Sequence, residues 1–287
     1  MPSIVQFLHS GREHRPENPP SNNYKDWNKG DHLRKFLRAE GEYVLNNSLK
    51  KAELCFWGEW EPQSHVSPLL QNGNKFFPKW LHTRDLIHPI PNKPKLQNTD
   101  PFVFDHEFKY FVCHQVKKKR KSARVVPTAL AKLDVGSLIL FGSKATDNGN
   151  AVFLLDTVFV VSDFIEYNPR VSPLTTQHIS QAYYDYVYGK LFSPAGPDVD
   201  LRLYMGATFG SKVDGMYSFV PSQVFDPDRK AGFARVPFNN SSPYISPEMT
   251  QGFKVTRNLT PNQVTSFWNT VVSHSRKVGC VEGVHFY

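Results

Sequence analysis

The segment 54–64, LCFWGEWEPQS, alternates two tryptophans with two carboxylates. If this segment is an extended strand, Trp57, Glu59 and Glu61 share one face, and Trp60 lies on the opposite face among apolar residues. A ring beside a carboxylate can stack on a base or a sugar while the acid accepts hydrogen bonds. The pattern therefore predicts a recognition pocket. The simpler alternative is that both acids form ordinary ion pairs with lysine or arginine.

A second group of polar residues follows the first apolar segment, in the sequence HSGREH at 9–14. Its H-x-x-x-E-H spacing differs by one residue from zinc-protease motifs, which also require a helix, so we predict no metal site. A loop that presents Arg12, Glu13 and His14 to a phosphate or a base is the functional interpretation. A solvated turn is the alternative.

Asp100 lies in the sequence NTDP at 98–101, a pattern typical of a turn that leads into a strand. It becomes a candidate catalytic residue if that turn lies beside Glu59. A carboxylate in a pocket of low polarity can act as a general acid or base in cleaving a glycosidic bond. The candidate catalytic residues are therefore Glu59, Glu61, Glu13 and Asp100, and the candidate substrate-binding residues are Trp57, Trp60, Arg12 and His14.

The chain is basic, with a formal net charge of +8 and an isoelectric point near 9.3. This charge predicts an acidic partner, with nucleic acid as the leading candidate, and a merely basic surface is the alternative. The strongest basic run lies at 116–124 and predicts phosphate contacts. A flexible solvated loop is the alternative. The candidate nucleic-acid-binding residues are Lys117, Lys118, Lys119, Arg120, Lys121 and Arg124.

Several function classes lack any motif in this sequence. It contains no P-loop, no G-x-G-x-x-G, no G-x-S-x-G and no C-x-x-C, so no cofactor is predicted. The three cysteines have no close-spaced pair, which fits a reducing cytoplasm. No apolar run reaches the ~18 residues of a membrane span, and the N-terminus lacks a secretory signal pattern. The oligomeric state is not predicted.

The elements that must position these residues are mainly strands. The 22 prolines and 17 glycines indicate many short elements joined by turns. We therefore predict an α+β fold, with a strand-dominated mixed sheet or partial barrel and a few flanking helices. Residues 1–287 form one domain in this interpretation, with a loop boundary at 116–126 as the alternative. The predicted strands cover 3–9, 52–61, 102–115, 136–142, 151–161, 201–208 and 216–220, with turns at 147–149 and 214–215.

Three helices are predicted to flank the strands. The first covers 31–41 and turns Arg34 outward or toward a site, and the second covers 175–191. The third, an amphipathic C-terminal helix, begins at Thr260, where Gln263 completes a capping box.

Six blocks of the sequence are distinctive when taken together: IVQFLHSGREH, WNKGDHLRKFL, FWGEWEPQS, NTDPFVF, GSLILFGS and VDGMYSFVP. Together they resemble a bacterial protein family over residues 4–221. This resemblance associates the chain with phage-defence DNA glycosylases that remove glucosylated hydroxymethylcytosine from viral DNA. It implies antiviral defence and base flipping, and it assigns no catalytic residue. The segment GSLILFGS at 136–143 also resembles small β-barrel base readers of the PUA/EVE type.

The leading hypothesis is a DNA glycosylase, a hydrolase that flips a modified base into the aromatic and acidic pocket and cleaves its N-glycosidic bond. A non-catalytic reader of modified nucleic acid would use the same pocket without an acid catalyst. A metal-dependent nuclease and an interaction protein with structural aromatics are the remaining alternatives.

Overall fold

The computed structural model describes residues 1–9, 11–14, 23–70, 76–92, 96–119, 124–192, 196–229, 231–239, 242–250 and 252–287. Strands dominate these residues and helices are few, so the predicted α+β class is confirmed. Within the described residues, the strands form two seven-stranded mixed sheets and one separate hairpin.

The first sheet has the strand order β15-β1-β10-β11-β12-β7, and β14 pairs with β11. β1 runs parallel to β10, whereas the other pairs in this sheet are antiparallel. Its strands are β1 (Ile4–Leu8), β7 (Lys109–Tyr110), β10 (Leu138–Asp147), β11 (Asn150–Tyr167), β12 (Leu201–Gly206), β14 (Val236–Phe238) and β15 (Gly252–Thr256).

The second sheet has the strand order β16-β13-β4-β3-β6-β5-β2. β16 also pairs with β3, so this part of the sheet curls into a partial ring that is not a barrel. Its strands are β2 (Tyr24–Lys25), β3 (Lys35–Leu45), β4 (Ser48–Gly58), β5 (Ser64–Pro68), β6 (Trp80–Arg84), β13 (Val220–Val224) and β16 (Val281–Phe286). The separate hairpin consists of β8 (Val116–Lys118) and β9 (Val125–Pro127).

The main strands bury both of their faces. On β4, Cys55 and Trp57 belong to one hydrophobic cluster, the Trp57 core, while Leu54 and Phe56 belong to a second, the Phe56 core. The predicted alternation of side chains is therefore correct within β4, but the strand ends at Gly58 and not at Glu61 as predicted. Neither face of β4 is free at this end. Strands β1 and β10 alternate between the same two cores.

Helices cover the cores from outside. The C-terminal helix α3 (Pro261–Lys277) was predicted correctly, including Thr260 as N-cap and the capping box with Gln263. It buries Phe267 and Trp268 in the Trp57 core. The predicted helix at 175–191 is confirmed only in its second half. That half consists of α1 (Gln181–Tyr183), a π-helical turn (Tyr184–Tyr188) and α2 (Gly189–Phe192).

The helix predicted over 31–41 is wrong, because residues from Lys35 onward form β3. β3 and β4 pair in register from Lys35↔Gly58 to Leu45↔Ser48. Asn46 and Asn47 connect the two strands with φ values of 51° and 57°, as a two-residue hairpin turn requires. Phe36 and Leu37 are both buried on opposite faces of the strand, which produced an apolar pattern that imitates a helix.

The strand predicted over 102–115 is also largely wrong. Only β7 and a single bridge between Phe102 and Lys109 are extended pairs in this segment. The aromatic residues of the segment are buried in the Phe56 core from a looped chain, so their burial did not require a strand. The strand predicted at 216–220 instead begins at Val220, and the predicted turn at 214–215 is present before it.

Candidate functional site

A cluster of charged side chains lies buried where the two sheets meet. The Arg34 guanidinium forms two ion pairs: its Nη1 lies 2.8 Å from Glu59 Oε1, and its Nε lies 2.7 Å from Asp156 Oδ2. All three side chains are only 2% exposed. His9 Nδ1 lies 2.6 Å from Glu59 Oε1, and Arg235 Nη1 lies 3.5 Å from Asp156 Oδ1. We call these five residues the Arg34 cluster.

Arg34 and Glu59 lie next to the ends of strands, and Asp156 lies at an irregularity within a strand. Arg34 precedes β3 and pairs with the loop after β1, since its N–H donates to Arg12 O at 2.9 Å. Glu59 directly follows β4. Asp156 lies in the middle of β11, where the pairing with β10 shifts register and leaves it as the extra residue of a β-bulge. Bulges turn a side chain out of the regular alternation, which explains a charge inside an apolar strand.

The electrostatics of the Arg34 cluster favour permanent charge pairs. Burial raises the pKa of Glu59, but the neighbouring His9 and Arg34 outweigh burial and hold it well below its usual range. Burial lowers the pKa of His9, and the neighbouring Glu59 opposes this change. The guanidinium groups of Arg34 and Arg235 face the carboxylates of Glu59 and Asp156. Such compensation is what allows charges to be buried.

The Arg34 cluster has no room for a substrate. The adjoining cavity, bordered by Arg34, Glu59 and Asp156, has a volume of about 10 Å³. A space of this size holds at most about one water molecule. Within the described residues, Arg34 Nη2 has no hydrogen-bond partner, so a single water is a suitable acceptor for it. The sequence proposal that Glu59 contacts a substrate has no support from this geometry.

Glu61 lies in a second buried group next to the first. Its carboxylate accepts a hydrogen bond from Asn28 Nδ2 at 2.5 Å and lies 3.1 Å from His32 Nδ1. Its side chain is 1% exposed. Ligand atoms of His32, Glu59 and Glu61 lie within 4.8 Å of one another, as in a metal site. However, the guanidinium of Arg34 already occupies Glu59, so a cation here would be repelled by a fixed positive charge.

Asp100 holds a loop in place. Its carboxylate accepts hydrogen bonds from the backbone N–H groups of Phe111, Val112 and Cys113 at 2.7–3.0 Å. Burial raises the pKa of Asp100 to about 7, although these three donors oppose the change. Its own N–H donates to Glu59 Oε2 at 3.2 Å, so the condition that the Asp100 turn lies beside Glu59 is met. The arrangement is that of an anchor for residues 111–113.

A cleft of about 880 Å³ opens beside these buried groups, and we call it the Phe77 cleft. Its size falls within the range of about 300–1,000 Å³ that is usual for ligand sites. The described residues that line it include five cations and three carboxylates. Its aromatic lining is Trp27, Trp57, Phe76 and Phe77; its cations are Arg12, Lys25, Lys29, Lys79 and Arg235; its carboxylates are Glu13, Asp26 and Asp31.

Trp57 connects this cleft to the Arg34 cluster. The Arg235 guanidinium lies 5.0 Å from the centre of its ring, and its indole N–H donates to Phe233 O at 2.7 Å. The ring is buried, so only its edge reaches the cleft. A second cleft of about 670 Å³ adjoins the first and shares Phe76 and Phe77 with it. These two rings are half-buried and stand between the two spaces.

Trp60 does not line the cleft. Its indole N–H donates to Gln63 O at 2.8 Å, and its ring packs in the Phe56 core under the guanidinium of Arg84, 5.3 Å away. The buried amine of Lys35 donates to the Trp60 carbonyl, and burial lowers the pKa of this amine to about 8. The contacts of Trp60 are those of a core residue.

Arg12, Glu13 and His14, by contrast, all line the Phe77 cleft as a loop at the end of β1. Glu13 Oε1 accepts hydrogen bonds from the backbone N–H groups of Lys79 and Trp80, at 2.6 and 3.0 Å. Burial and the neighbouring Lys35 lower the pKa of His14 to about 3, so this imidazole is neutral and cannot pair with a phosphate as a cation. Glu13 is the one candidate catalytic carboxylate among the lining residues.

The described part of the basic run does not line this cleft. Lys117 and Lys118 lie exposed on β8, followed by exposed Lys119, and none of them lines it. Arg124 borders a separate cleft of about 1020 Å³. Arg120 and Lys121 lie outside the described residues. Lys117 and Lys118 therefore lie on a hairpin that is separate from the Phe77 cleft.

Sequence reasoning missed Asp156 and Arg235 as members of the site and placed Arg34 on a helix. Asp156 left a signal, because it interrupts the apolar run at 152–161. Arg235 left none that distinguishes it from other arginines.

The chain was also compared with known proteins. No protein-family model, no curated protein and no solved structure matches it. Among the helices of the described ranges, none has the length and apolar character needed to cross a membrane.

The buried pair of His32 and Glu61 predicts a pH dependence of stability. Burial lowers the pKa of His32, but the hydrogen bond with Glu61 and the charge of Glu59 raise it overall to about 9, against 6.5 in the unfolded chain. The pair therefore stabilises the fold fully below pH 6.5, and this contribution disappears as the pH rises through about 9.

We expect the stability difference between the wild type and His32→Gln to shrink by about 1–2 kcal/mol across that window, after allowance for screening at the partly exposed ring. Urea unfolding at several pH values measures this difference. His178→Gln, at an exposed histidine, should leave the pH profile unchanged. Parallel profiles for the wild type and His32→Gln would contradict the pairing.

Proposed function

We propose that the protein binds nucleic acid and accepts one unstacked nucleotide in the Phe77 cleft. The observation that carries this proposal is the combination, in one cleft of about 880 Å³, of two half-buried phenylalanine rings with a rim of exposed lysines. Proteins that hold single bases stack them on aromatic rings and track the phosphates with cations.

The distribution of charge supports a polyanionic ligand. Lys29 and Lys79 are exposed at the cleft, and the chain as a whole carries a formal net charge of +8. Each neutralised phosphate releases bound counterions, so binding of this kind weakens steeply as the salt concentration rises. The clustered lysines of β8 provide a second surface for the backbone of a longer strand.

The adjoining cleft of about 670 Å³ supports a large or modified base as the ligand. A base stacked on Phe76 or Phe77 has free space on the far side of these rings. An added sugar on the base fits this arrangement, in agreement with the sequence resemblance to glycosylases of glucosylated DNA. We therefore favour modified DNA as the ligand. We favour the cytoplasm as the location, because the three cysteines have no close-spaced pair.

A second candidate function is cleavage of the N-glycosidic bond of the bound nucleotide. Glu13 favours it, because its carboxylate lines the cleft and is fixed by two backbone N–H donors. A fixed carboxylate can stabilise the oxocarbenium-like sugar or activate a water. The burial of Glu59, Glu61 and Asp100 favours binding without chemistry, since none of these three reaches the cleft.

If cleavage occurs in the Phe77 cleft, Glu13→Gln should reduce base release by about 10²–10⁴-fold, the usual contribution of a general acid or base. The amide oxygen still accepts from Lys79 and Trp80 N–H, so DNA affinity should change less than about twofold. Asp31→Asn, at an exposed carboxylate of the same cleft, is the matched control. Undiminished release by Glu13→Gln would remove Glu13 from the mechanism.

The test of both candidates uses hydroxymethylated, glucosylated and unmodified DNA, single-stranded and duplex. Fluorescence anisotropy at several salt concentrations measures binding, and released bases and alkali-labile sites measure cleavage. Binding that prefers a modified strand, without release, supports the reader. Release that persists with a chelator supports a metal-independent glycosylase, and chelator-sensitive strand breaks would indicate the nuclease alternative. Binding no tighter than that of a generic basic protein would refute the proposal.

A further inference from the structure

Two histidines and one aspartate converge at the edge of the second sheet, away from both sites described above. His65 lies on β5, Asp85 directly follows β6, and His88 lies three residues further on. Their ligand atoms, one from each residue, all lie within 4.8 Å of one another. We propose that these three residues bind a divalent transition-metal ion, with Zn²⁺ as the preferred ion.

The carboxylate of Asp85 is prepared for a cation. Its side chain is 0% exposed, and its Oδ1 accepts hydrogen bonds from Ile87 N–H at 2.9 Å and His88 N–H at 3.3 Å. These bonds fix the orientation of the carboxylate, as outer contacts do for metal ligands. The backbone N–H of Asp85 donates to Gln63 O at 3.1 Å, which ties the turn to the sheet.

The buried charge of Asp85 has no permanent counter-charge. Among the described residues, its ion-pair partners are the two histidines, which carry charge only when protonated. No lysine or arginine of that part of the chain pairs with it. A buried carboxylate is costly unless a positive charge or a metal ion compensates it. This environment differs from that of His32, Glu59 and Glu61, where Arg34 already supplies the positive charge.

The geometry fits zinc with a small adjustment. Zinc bonds of ~2.0–2.2 Å place neighbouring ligand atoms of a tetrahedron roughly 3.3 Å apart. His65 Nε2 lies 3.9 Å from Asp85 Oδ1, and His88 Nδ1 contacts Asp85 Oδ2 directly. Both imidazoles are about half exposed, so small rotations bring all three ligands to bonding distance. Three protein ligands leave a fourth position for water.

The ring of Tyr24 closes one side of this site, with centroids 4.8 Å from His88 and 5.7 Å from His65. Its neighbour Lys25 lines the Phe77 cleft. Because adjacent strand residues point to opposite faces, the metal site and the cleft lie on opposite faces of β2. The metal site is therefore separate from nucleotide binding and does not depend on that proposal. Its residues are spread over 24 positions of sequence, which is why no motif indicated it.

The test is a zinc titration of tag-free, chelator-treated protein against a competing chromophoric chelator. We expect one equivalent to bind, and His65→Ala and His88→Ala each to lose at least about tenfold in affinity, since loss of even an outer contact costs 10–100-fold. His178→Ala, at an exposed histidine elsewhere, should bind like the wild type. Cobalt in place of zinc should give a visible absorption band that both ligand variants lose.

Thermal unfolding provides a readout that does not depend on the chelator. Zinc should raise the Tm of the wild type and of His178→Ala, but not that of His88→Ala or of His88→Gln, because a ligand stabilises only the state that binds it. The absence of stoichiometric binding by the wild type would overturn the proposal. Equal affinity in His65→Ala, His88→Ala and the wild type would overturn it as well.

Discussion

Replacing Arg34 with methionine should lower the free energy of unfolding by about 3–5 kcal/mol, the usual effect of removing one partner from a buried ion pair. The substitution leaves the carboxylates of Glu59 and Asp156 buried with fewer positive neighbours. Methionine is shorter than arginine, but its unbranched, flexible side chain fills most of the space. The loss therefore reports mainly on charge and not on a cavity.

Arg38→Met, on the strand β3 that begins directly after Arg34, is the matched control. Arg38 lies 3.6 Å from Glu53, with side-chain exposures of 32% and 46%, so this pair is largely screened by solvent. We expect a loss below about 1 kcal/mol. Urea unfolding followed by tryptophan fluorescence measures both variants. Equal losses would show that the Arg34 cluster is not the buried network described above.

Arg34→Met should also shift acid unfolding to a higher pH. The pKa of Glu59 is held below its ordinary value of 4.5, so its pairing stabilises the fold above that pH and is lost as the pH falls toward the folded-state pKa. Arg34→Met removes one of the groups that depress this pKa. Acid unfolding of the variant should therefore begin at a higher pH than that of the wild type, as far-UV circular dichroism would record.

Reversing the charge of Lys29 and Lys79 together should weaken binding to single-stranded DNA by about 100-fold at low salt. Both lysines are exposed at the Phe77 cleft. For single-stranded DNA, each phosphate contact adds about 0.7 to the steepness of the plot of log affinity against log salt concentration. If each lysine contacts one phosphate, loss of both contacts should make this slope shallower by about 1.4. Each mutation to glutamate also adds a repulsive charge. Fluorescence anisotropy across a salt series measures both quantities.

Two other double reversals change the net charge by the same amount. Lys50→Glu with Lys51→Glu alters exposed residues of β4 that do not line the cleft, and it should produce only a small loss. Lys117→Glu with Lys118→Glu tests the basic hairpin and should weaken all sequences equally if the lysines contact phosphates. Equal losses in all three variants would indicate long-range attraction alone and would contradict a role for the cleft.

The sequence was sufficient to predict those strands and helices in which the local residue pattern agrees with the burial of the side chains. β1 and α3 each combine an apolar segment with a clear turn or capping signal, and each was predicted close to its observed position. The strands predicted at 136–142 and 151–161 are present, but β10 and β11 continue to Asp147 and Tyr167. β3 was missed because it buries both faces, which removes the two-residue period that identifies a strand. The turn of Asn46 and Asn47 was the available signal for the hairpin.

The sequence also predicted only part of the candidate site. The alternation predicted in 54–61 correctly placed Trp57 and Trp60 in different cores. The sequence left the contact between Asp100 and Glu59 as a condition, and the structure contains it. Whether a buried acid meets solvent or an arginine depends on how two sheets pack, and local sequence does not contain that information. The partner of Asp156, for example, follows from a register shift between β10 and β11.

The position of the Arg34 cluster has a consequence for how the molecule opens. Arg34 and Glu59 directly adjoin strands β3 and β4 of the second sheet, whereas Asp156 lies on β11 of the first. Separating the sheets therefore exposes unpaired charges together with two apolar cores. Partial opening at this junction is therefore nearly as unfavourable as global unfolding. Backbone amides of β3 and β11 should exchange with deuterium through the same opening event, while those of the β8–β9 hairpin should exchange much earlier.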